Sequence, residues 1–578
     1  MGKEDLLIAQ MSPTEIRNLV ITAHFKLVRK NQALLAGISQ SETNEVRSLY
    51  AYWTYYVFQV TFPGFLSAVS GRGGVSDNRK NFLRLQATKN LLFKIIPKIV
   101  LSKITDSKKI REFYNYIAFK ITGRPGYLDH KISSSSETQF KTEQYSDADL
   151  LSAIHTYYNI TLTDETIETL RSVATTQDVS SFLVSSMFHT TWLGIAANLR
   201  EKGFSFAWLG SDEAKNPIGY GSISAQQLPF DYFIHNFPEI FAILVMAQEK
   251  HLLLNVESYF HSAWYSERAA VMYLFNTALF EALREVRGDA KGKLCCVLYD
   301  AIKPVVYIND TGDGVEHCYK AMIRAADAVV YNSNVPSYHD FLEGAMNRKI
   351  PAAYLYRVQT ISQAEASEPL SRLPYRPGAE LHIACISLAL GEFAEPSRDT
   401  VTPFLRRLIV QPGVVLHYYT DLNSPGLQRF KDSATEEELR HIVFHPVVRD
   451  QGDLIRELRR YHLGFTPFDH NAFAIGISGL QNRFYKDALS AFWQSTIATS
   501  FHVYSAAGLP IVVPRGCHGI ERFVPEECIL RASLSEIPYL AARIYGMDYD
   551  KCLAAADANR QNYTQADIGD FLSLLEKQ

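Results

Sequence analysis

The sequence lacks the short motifs that mark the commonest enzyme classes. Neither GxGxxG nor GxxxxGK[ST] follows a predicted strand, so the ordinary cradles for dinucleotides and nucleoside triphosphates are absent. The GxSxG, HExxH and kinase-loop patterns are missing as well. These absences argue against a hydrolase, a zinc protease and a kinase.

Signals for disulfides, metal ligands and export are also missing. The seven cysteines form no CxxC pair and no zinc-ligand spacing, and we interpret them as reduced core thiols of a cytoplasmic protein. The N-terminus has no secretory profile, so export is not expected. Asp548 and Asp550 form a DxD, but a helical run follows them, which favours helix capping over metal binding. We therefore expect no metal ion and no cofactor.

Charge is distributed unevenly along the chain. The formal net charge is -3, which predicts no nucleic-acid partner, yet residues 1–135 hold 20 Lys and Arg against 9 Asp and Glu. Residues 48–71 carry no charge, and residues 91–104 place three lysines among aliphatic side chains. Two interpretations stay open: these segments are core faces of a helical module, or they make peripheral contact with the cytoplasmic face of a membrane.

The pattern of apolar runs divides the chain into five parts. Residues 1–130 predict a basic α-helical module, and residues 131–180 a serine-rich linker with a short helical section. From residue 181 onward short aliphatic strands alternate with helices, and after a proline-bearing linker that alternation restarts. Such alternation is typical of parallel, doubly wound sheets. The sequence therefore predicts an α/β fold with Rossmann-like domains over 181–366 and 379–545, followed by C-terminal helices over 546–578.

One junction, SFHVYSAAGLPIVVPRG at 500–516, carries several agreeing signals. Ser495 is placed to cap a helix that begins at Thr496, Gly508 is placed to end it, and Pro510 prevents its continuation. The aliphatic residues 511–513 then predict a buried strand. A helix start with hydroxyl side chains beside free backbone N–H groups suits an anion such as a diphosphate.

This junction resembles a signature of GT-B glycosyltransferases, which clamp a nucleotide-diphosphate sugar between two Rossmann-like domains. The stretch YSAAGLPIVV at 504–513 is similar to YLAAGLPVIV of that family. Further similar stretches follow the family's order: AADAVVYNSN, HIVFHPVV with DLIRELRR, and HLGFTPFD. The resemblance covers about residues 181–578. It implies a GT-B fold, C-terminal helices that cross back to the first domain, and a metal-independent transferase of bacterial polysaccharide biosynthesis.

The resemblance also implies roles for particular residues. Positions that would contact the donor diphosphate or nucleotide are Arg398, His445, Arg449, Ser495, Thr496, Thr499 and Tyr504. Glu521 resembles the glutamate that contacts the donor sugar. His189, His261 and Asp300 follow predicted strands of the first domain and are candidates for the base that activates an acceptor hydroxyl.

The family's lysine and glutamate in the donor helix are replaced here by Ser500 and Val503. This departure leaves three functions open. The first is a glycosyltransferase that acts on a glycan, a lipid-linked saccharide or a protein. The second is a non-catalytic interaction protein with the same fold, and the third is a nucleotide-sugar epimerase.

Overall fold

A computed structural model describes most of the two α/β regions of the chain. The described residues are 8–38, 146–177, 179–184, 206–209, 237–255, 266–288, 292–298, 313–331, 335–355, 361–386 except 371, 374 and 377, 401–467 except 421, 424 and 449, 469, 483–495, and 498–576 except 547 and 566. Everything below concerns these residues.

The first sheet has six described strands, and every neighbouring pair is parallel. Its order is β2-β1-β3-β4-β5-β6, with strands β1 (Ser181–Val184), β2 (Phe206–Leu209), β3 (His251–Asn255), β4 (Leu294–Leu298), β5 (Ala328–Tyr331) and β6 (Ala352–Tyr354). Strand β4, with the sequence LCCVL, is buried at every position. Helices on both faces of a parallel sheet bury both sets of side chains, which is why these strands are mostly apolar.

The second sheet is also parallel throughout its six described strands. Its order is β12-β11-β10-β7-β8-β9, with strands β7 (Leu381–Ile386), β8 (Val414–Tyr419), β9 (Ile442–His445), β10 (Leu463–Phe465), β11 (Ile511–Pro514) and β12 (Ile529–Ala532). This is the Rossmann order, in which the chain reverses direction across the sheet between its first and fourth strands. The reversal point therefore lies between β7 and β10.

Seventeen helices flank the two sheets within the described residues. Those before the second sheet are α1 (Pro13–Ile38), α2 (Asp147–Thr161), α3 (Asp164–Thr175), α4 (Phe237–Met246), α5 (Ser266–Arg287), α6 (Asp313–Ala325), α7 (Pro336–Met346) and α8 (Gln363–Ser367). The remainder are α9 (Val401–Ile409), α10 (Pro425–Ser433), α11 (Glu436–Arg440), α12 (Gln451–Leu458), α13 (Arg483–Ser495), α14 (Thr499–Ala506), α15 (Leu540–Tyr545), α16 (Tyr549–Arg560) and α17 (Gly569–Glu576). We call β1–β6 with α1–α7 the first unit, and β7–β12 with α8–α12 and α14–α16 the second unit. The predicted α/β architecture with two parallel sheets is confirmed.

Helix α1 is part of the first unit. Its residues Ile16, Val20, Ala23 and Leu27 recur at helical spacing, are buried, and belong to the same hydrophobic core as α2–α5. Arg17 Nε donates a hydrogen bond to the Leu162 carbonyl at 2.9 Å. The predicted helical character is confirmed for α1, but this helix shares the core of the first sheet. Residues 48–71 and 91–104 lie outside the described residues.

Helices α13 and α17 pack against the first unit, although both come after the start of the second sheet in sequence. On α17, Phe571, Leu574 and Leu575 lie in one apolar cluster with Leu253 and Val297 of the first sheet. On α13, Phe492 contacts Tyr338 of α7 edge to face, with ring centroids 6.1 Å apart. The chain thus returns twice to the first unit. Among the described helices, none is both long enough and apolar enough to span a membrane.

Candidate functional site

The junction between α14 and β11 ends the helix with a left-handed glycine. Gly508 has φ +72°, its N–H donates to the Ser505 carbonyl at 2.9 Å, and the Leu509 N–H donates to the Tyr504 carbonyl at 2.9 Å. These two bonds form a Schellman motif, which satisfies carbonyls that the helix leaves free. Pro510 follows, and β11 is buried along its whole length. The predicted helix end and buried strand are confirmed.

The start of the helix differs from the prediction. Ser495 is the last residue of α13, not the cap of α14, and its hydroxyl donates back to the Ala491 carbonyl at 3.3 Å. The donor helix begins at Thr499 with Ala498 as its N-cap, which offers no side-chain bond. Ser495 is buried, and its hydroxyl is bonded within α13. The predicted cap is therefore wrong, because Ser495 ends α13 and three residues separate it from the start of α14.

Tyr504 is a buried positioning residue. Its hydroxyl donates to the Phe465 carbonyl at 3.0 Å and accepts from the Ile386 N–H at 2.7 Å. Burial raises the pKa of Tyr504 well above its ordinary value. Its ring lies so close to Gly464 that a Cβ at that position would be 2.4 Å from the ring. The sequence predicts a nucleotide contact for Tyr504, but its hydroxyl bonds to two backbone groups in the core and to the Thr466 side chain.

The two backbone partners of Tyr504 fix the position of α14 relative to the second sheet. Ile386 is the last residue of β7 and Phe465 the last of β10, so the tyrosine joins the carboxyl ends of the two strands at the reversal point. Ligands of doubly wound sheets bind outside the carboxyl ends of the strands at this point. The first turn of α14 therefore belongs to the region where a ligand is expected.

A hydroxyl pair occupies this edge of the sheet. Thr466, directly after β10, and Ser500, in the first turn of α14, have their Oγ atoms 2.9 Å apart. Thr466 is buried and Ser500 is half-buried. Neither residue is among the ligand contacts predicted from the sequence. The signal available in the sequence was the threonine of HLGFTPFD, which directly follows a strand at the reversal point.

Glu521 lies on a short 3-10 turn, Ile520–Arg522, that follows β11. Its carboxylate is 3.1 Å from Nη2 of Arg531, and about half of its side chain is exposed. Arg531, on β12, also donates to the Cys517 carbonyl. The arginine thus holds both the loop after β11 and the carboxylate on it. The sequence does not reveal the role of Arg531, because its contact with Glu521 depends on the pairing of β12 with β11.

The loops after β10 and β11 meet near Cys517. Burial raises the pKa of the Cys517 thiol to about 12, and the carboxylates of Glu521 and Asp469 act in the same direction while Arg531 opposes them. Asp469 follows β10 and Glu521 follows β11, so both carboxylates lie near one corner of the sheet. We call Thr466, Ser500, Asp469, Glu521 and Arg531 the polar corner.

His445, assigned to the nucleotide, is the last residue of β9. Its Nε2 lies 3.0 Å from Nδ1 of His417, and its ring stacks on Tyr419 with centroids 4.5 Å apart. Burial lowers the pKa of His445, with Glu457 opposing the shift and Arg460 adding to it. The nucleotide role of His445 stays a prediction, and the residue belongs to a row of three hydrogen-bonded histidines.

Several predicted site residues cannot be placed. His189, His261, Asp300, Arg398, Arg449 and Thr496 lie outside the described residues, as does the side chain of Thr499. Their assigned roles stay predictions. The DxD segment is described: the Asp548 carboxylate accepts the Lys551 N–H at 3.0 Å and caps α16, as the sequence indicated.

Comparison with known proteins gives similar solved structures only. Neither a protein-family model nor a curated protein matches the sequence. Similar structures include sucrose-phosphate synthase from Thermosynechococcus elongatus, with 13% identity, 68% of this chain and 96% of that chain covered, and a TM-score of 0.41. A glycosyltransferase from Rickettsia africae has 10% identity, coverage of 70% and 100%, and a TM-score of 0.42. The Anabaena protein HepE in complex with UDP-glucose has 13% identity, coverage of 68% and 97%, and a TM-score of 0.41.

The fold and the site define an α/β protein with two parallel sheets. The second sheet has the Rossmann order and carries the polar corner at the carboxyl ends of its strands.

Proposed function

We propose that the chain is a GT-B-like glycosyltransferase that moves a sugar from a nucleotide-diphosphate sugar to a glycan, a lipid-linked saccharide or a protein. The observation that carries the proposal is the position of α14. Tyr504 holds this helix against the carboxyl ends of β7 and β10, and the hydroxyl pair of Thr466 and Ser500 lies at its first turn. Helix, hydroxyls and strand ends together form an anion site at the reversal point of a Rossmann sheet.

The chemistry of transfer accounts for this arrangement. Breaking the bond between the sugar and the diphosphate leaves negative charge on the departing group, and fixed donors directed at that group stabilise it. Free N–H groups at the start of α14, together with the Ser500 hydroxyl, supply such donors without a metal ion. We assign Arg398 and Arg449 to the same diphosphate and His445 to the nucleotide.

The sugar would lie beside Glu521. Its half-exposed carboxylate accepts hydrogen bonds from hydroxyl groups, and Arg531 limits the positions that this carboxylate takes. On the acceptor side, His189, His261 and Asp300 remain our candidates for the base.

A panel of nucleotide sugars, each offered with and without acceptor glycans, tests the proposal. The expected result is release of the nucleoside diphosphate from one donor, with the sugar appearing on an acceptor. Conversion of a nucleotide sugar to its epimer without an acceptor would make the chain an epimerase. If no donor releases diphosphate and no nucleotide raises the melting temperature, the chain is a non-catalytic interaction protein.

We further propose that the basic N-terminal segment, 1–130, brings the enzyme to the cytoplasmic face of a membrane. The surplus of Lys and Arg in residues 1–135 supports this, since basic segments are attracted to anionic lipids. Because α1 shares the core of the first unit, the test uses the full chain. Co-sedimentation with liposomes is expected to rise with their anionic lipid content, and indifference to that content would reject membrane docking.

A further inference from the structure

Three histidines on neighbouring strands of the second sheet are hydrogen-bonded ring to ring. Nδ1 of His382 on β7 lies 2.9 Å from Nε2 of His417 on β8. Nδ1 of His417 lies in turn 3.0 Å from Nε2 of His445 on β9. We call these residues the histidine row. It runs from the amino end of β7 to the carboxyl end of β9, which ends at His445, the residue assigned to the nucleotide.

Few charges surround the histidine row. The Glu380 carboxylate is 3.7 Å from Nε2 of His382, and the His462 ring is 5.7 Å from the His382 ring. The Tyr461 ring lies 4.3 Å from His417. The charged and titratable groups that face the row from β7, β8, α12 and the segment after α12 are Glu380, Tyr419, Glu457, Arg460, Tyr461 and His462.

The histidine row can bind one extra proton without losing a hydrogen bond, but not two. A neutral imidazole has one N–H and one bare nitrogen, so three neutral rings supply the two donors and two acceptors that the two bonds require. One added proton can be held by His417, which then donates to both neighbours. A second added proton places two N–H groups face to face in one of the bonds. That bond is then lost, and two cations lie about 3 Å apart.

The surroundings oppose even the first added proton. Burial lowers the pKa of all three histidines, and for His417 it does so to about 3, with His382, His445 and Arg460 adding to the effect. In the unfolded chain histidine titrates near pH 6.5. The stabilisation from the row is therefore complete above about pH 6.5 and is lost as the pH falls toward the folded values.

We propose that the histidine row is an acid-sensitive latch that holds β9 and the loop after it against the sheet. Within the described part of the chain, β9 pairs with β8 alone, so it is an edge strand with a single neighbour. The His445 carbonyl also accepts the Thr420 N–H at 3.0 Å. Breaking the ring-to-ring bonds removes the side-chain hydrogen bonds between β9 and the interior of the sheet and leaves the ring contacts with β8. The loop after His445 is then free to leave its place in acid.

Hydrogen exchange of the full chain, measured by mass spectrometry between pH 7.5 and 5 and corrected for intrinsic exchange, tests the latch. Each proton bound in excess by the open form multiplies its population about tenfold per pH unit. We therefore expect opening of Ile442–His445 to rise about tenfold per unit below pH 6.5, while β4 stays protected. His417→Gln is expected to reduce the pH slope, because both ring-to-ring bonds are lost while His382 and His445 stay buried. The control His155→Gln, on α2, is expected to keep the full slope.

Two results would overturn the latch. One is protection of β9 in the unsubstituted protein that does not change down to pH 5. The other is a His417→Gln protein whose β9 opens with the same pH slope as the unsubstituted chain. If His417→Gln does not fold at pH 7.5, His445→Gln removes the terminal bond and is judged by the same slope. The measurement uses no nucleotide, so its outcome is independent of the proposed transferase activity.

Discussion

Gly508 and Tyr504 lie four residues apart and differ in how far the sequence revealed their roles. The glycine follows a helical run and precedes a proline two residues on, and such local order is enough to predict a left-handed helix end. The tyrosine acts through Ile386 and Phe465, which are 118 and 39 residues away in sequence. No local pattern reports such contacts, so the sequence predicts a ligand contact for a side chain that the fold uses in its core.

Replacing the buried tyrosine tests its positioning role. Tyr504→Phe removes the acceptor of the Ile386 N–H and the donor to Phe465, so a buried backbone group loses its partner. The expected loss is about 1–3 kcal/mol in the free energy of unfolding, measured by urea denaturation. Tyr539→Phe is the control, because Tyr539 is 67% exposed. Equal stability of the two variants would contradict the role given to Tyr504.

The alternation of strands and helices could be predicted from the sequence, whereas the order of the strands within each sheet could not. Aliphatic runs such as LHIACI and PIVVP carry a strand signal in their own composition. Which strands pair depends on contacts between distant segments, so the reversal point between β7 and β10 emerged only from the fold. The same limit explains the wrong cap at Ser495. Local signals there did not show that one helix ends and another begins.

The helix end at Gly508 yields a prediction with an internal control. A Cβ at Gly508 would lie 2.8 Å from Leu370 Cδ1 and would also strain φ +72°. At Gly288, with φ +59°, a Cβ would meet no atom within 4 Å among the described residues outside its own helix and chain neighbours. Left-handed strain costs about 1–2 kcal/mol for a residue with a Cβ. Gly288→Ala should therefore lower the free energy of unfolding by this strain cost alone.

Gly508→Ala should lower the free energy of unfolding more than Gly288→Ala does, because the new Cβ must also displace the Leu370 side chain. Denaturation of both variants by urea provides the comparison. A smaller decrease in stability for Gly508→Ala than for Gly288→Ala would show that Leu370 moves aside at little cost, which would contradict close packing at Gly508.

Across the whole molecule, two segments that connect the units lie side by side. The Ile361 N–H donates to the Tyr563 carbonyl at 2.9 Å, and the Gln561 side chain donates to the Ala366 carbonyl at 2.8 Å. The chain then continues into α17, which packs on the first sheet. Sequence alone implied this return through the family resemblance, but not which side chains make the contact.

Truncating an α17 side chain should destabilise a sheet that lies more than 200 residues earlier in sequence. Phe571 is fully buried against the first sheet, and Phe→Ala changes in cores cost about 3–5 kcal/mol. Phe571→Ala should therefore speed proteolytic cleavage within the first unit. Ser573→Ala, on the exposed side of the same helix, should not. Unchanged cleavage in Phe571→Ala would mean that α17 contributes little to the first unit.

Turnover by a Glu521 variant tests the central claim most directly, namely that the polar corner handles a nucleotide-sugar donor. The measurement is nucleoside diphosphate release, from the donor that the panel selects, by the unsubstituted protein, by Glu521→Gln and by the control Glu527→Gln on the exposed neighbouring turn. Loss of a charged hydrogen bond worth about 1.5–3 kcal/mol lowers turnover about 10- to 100-fold. We predict that loss for Glu521→Gln and none for Glu527→Gln. Equal release by all three proteins, or no release from any donor, would contradict the claim.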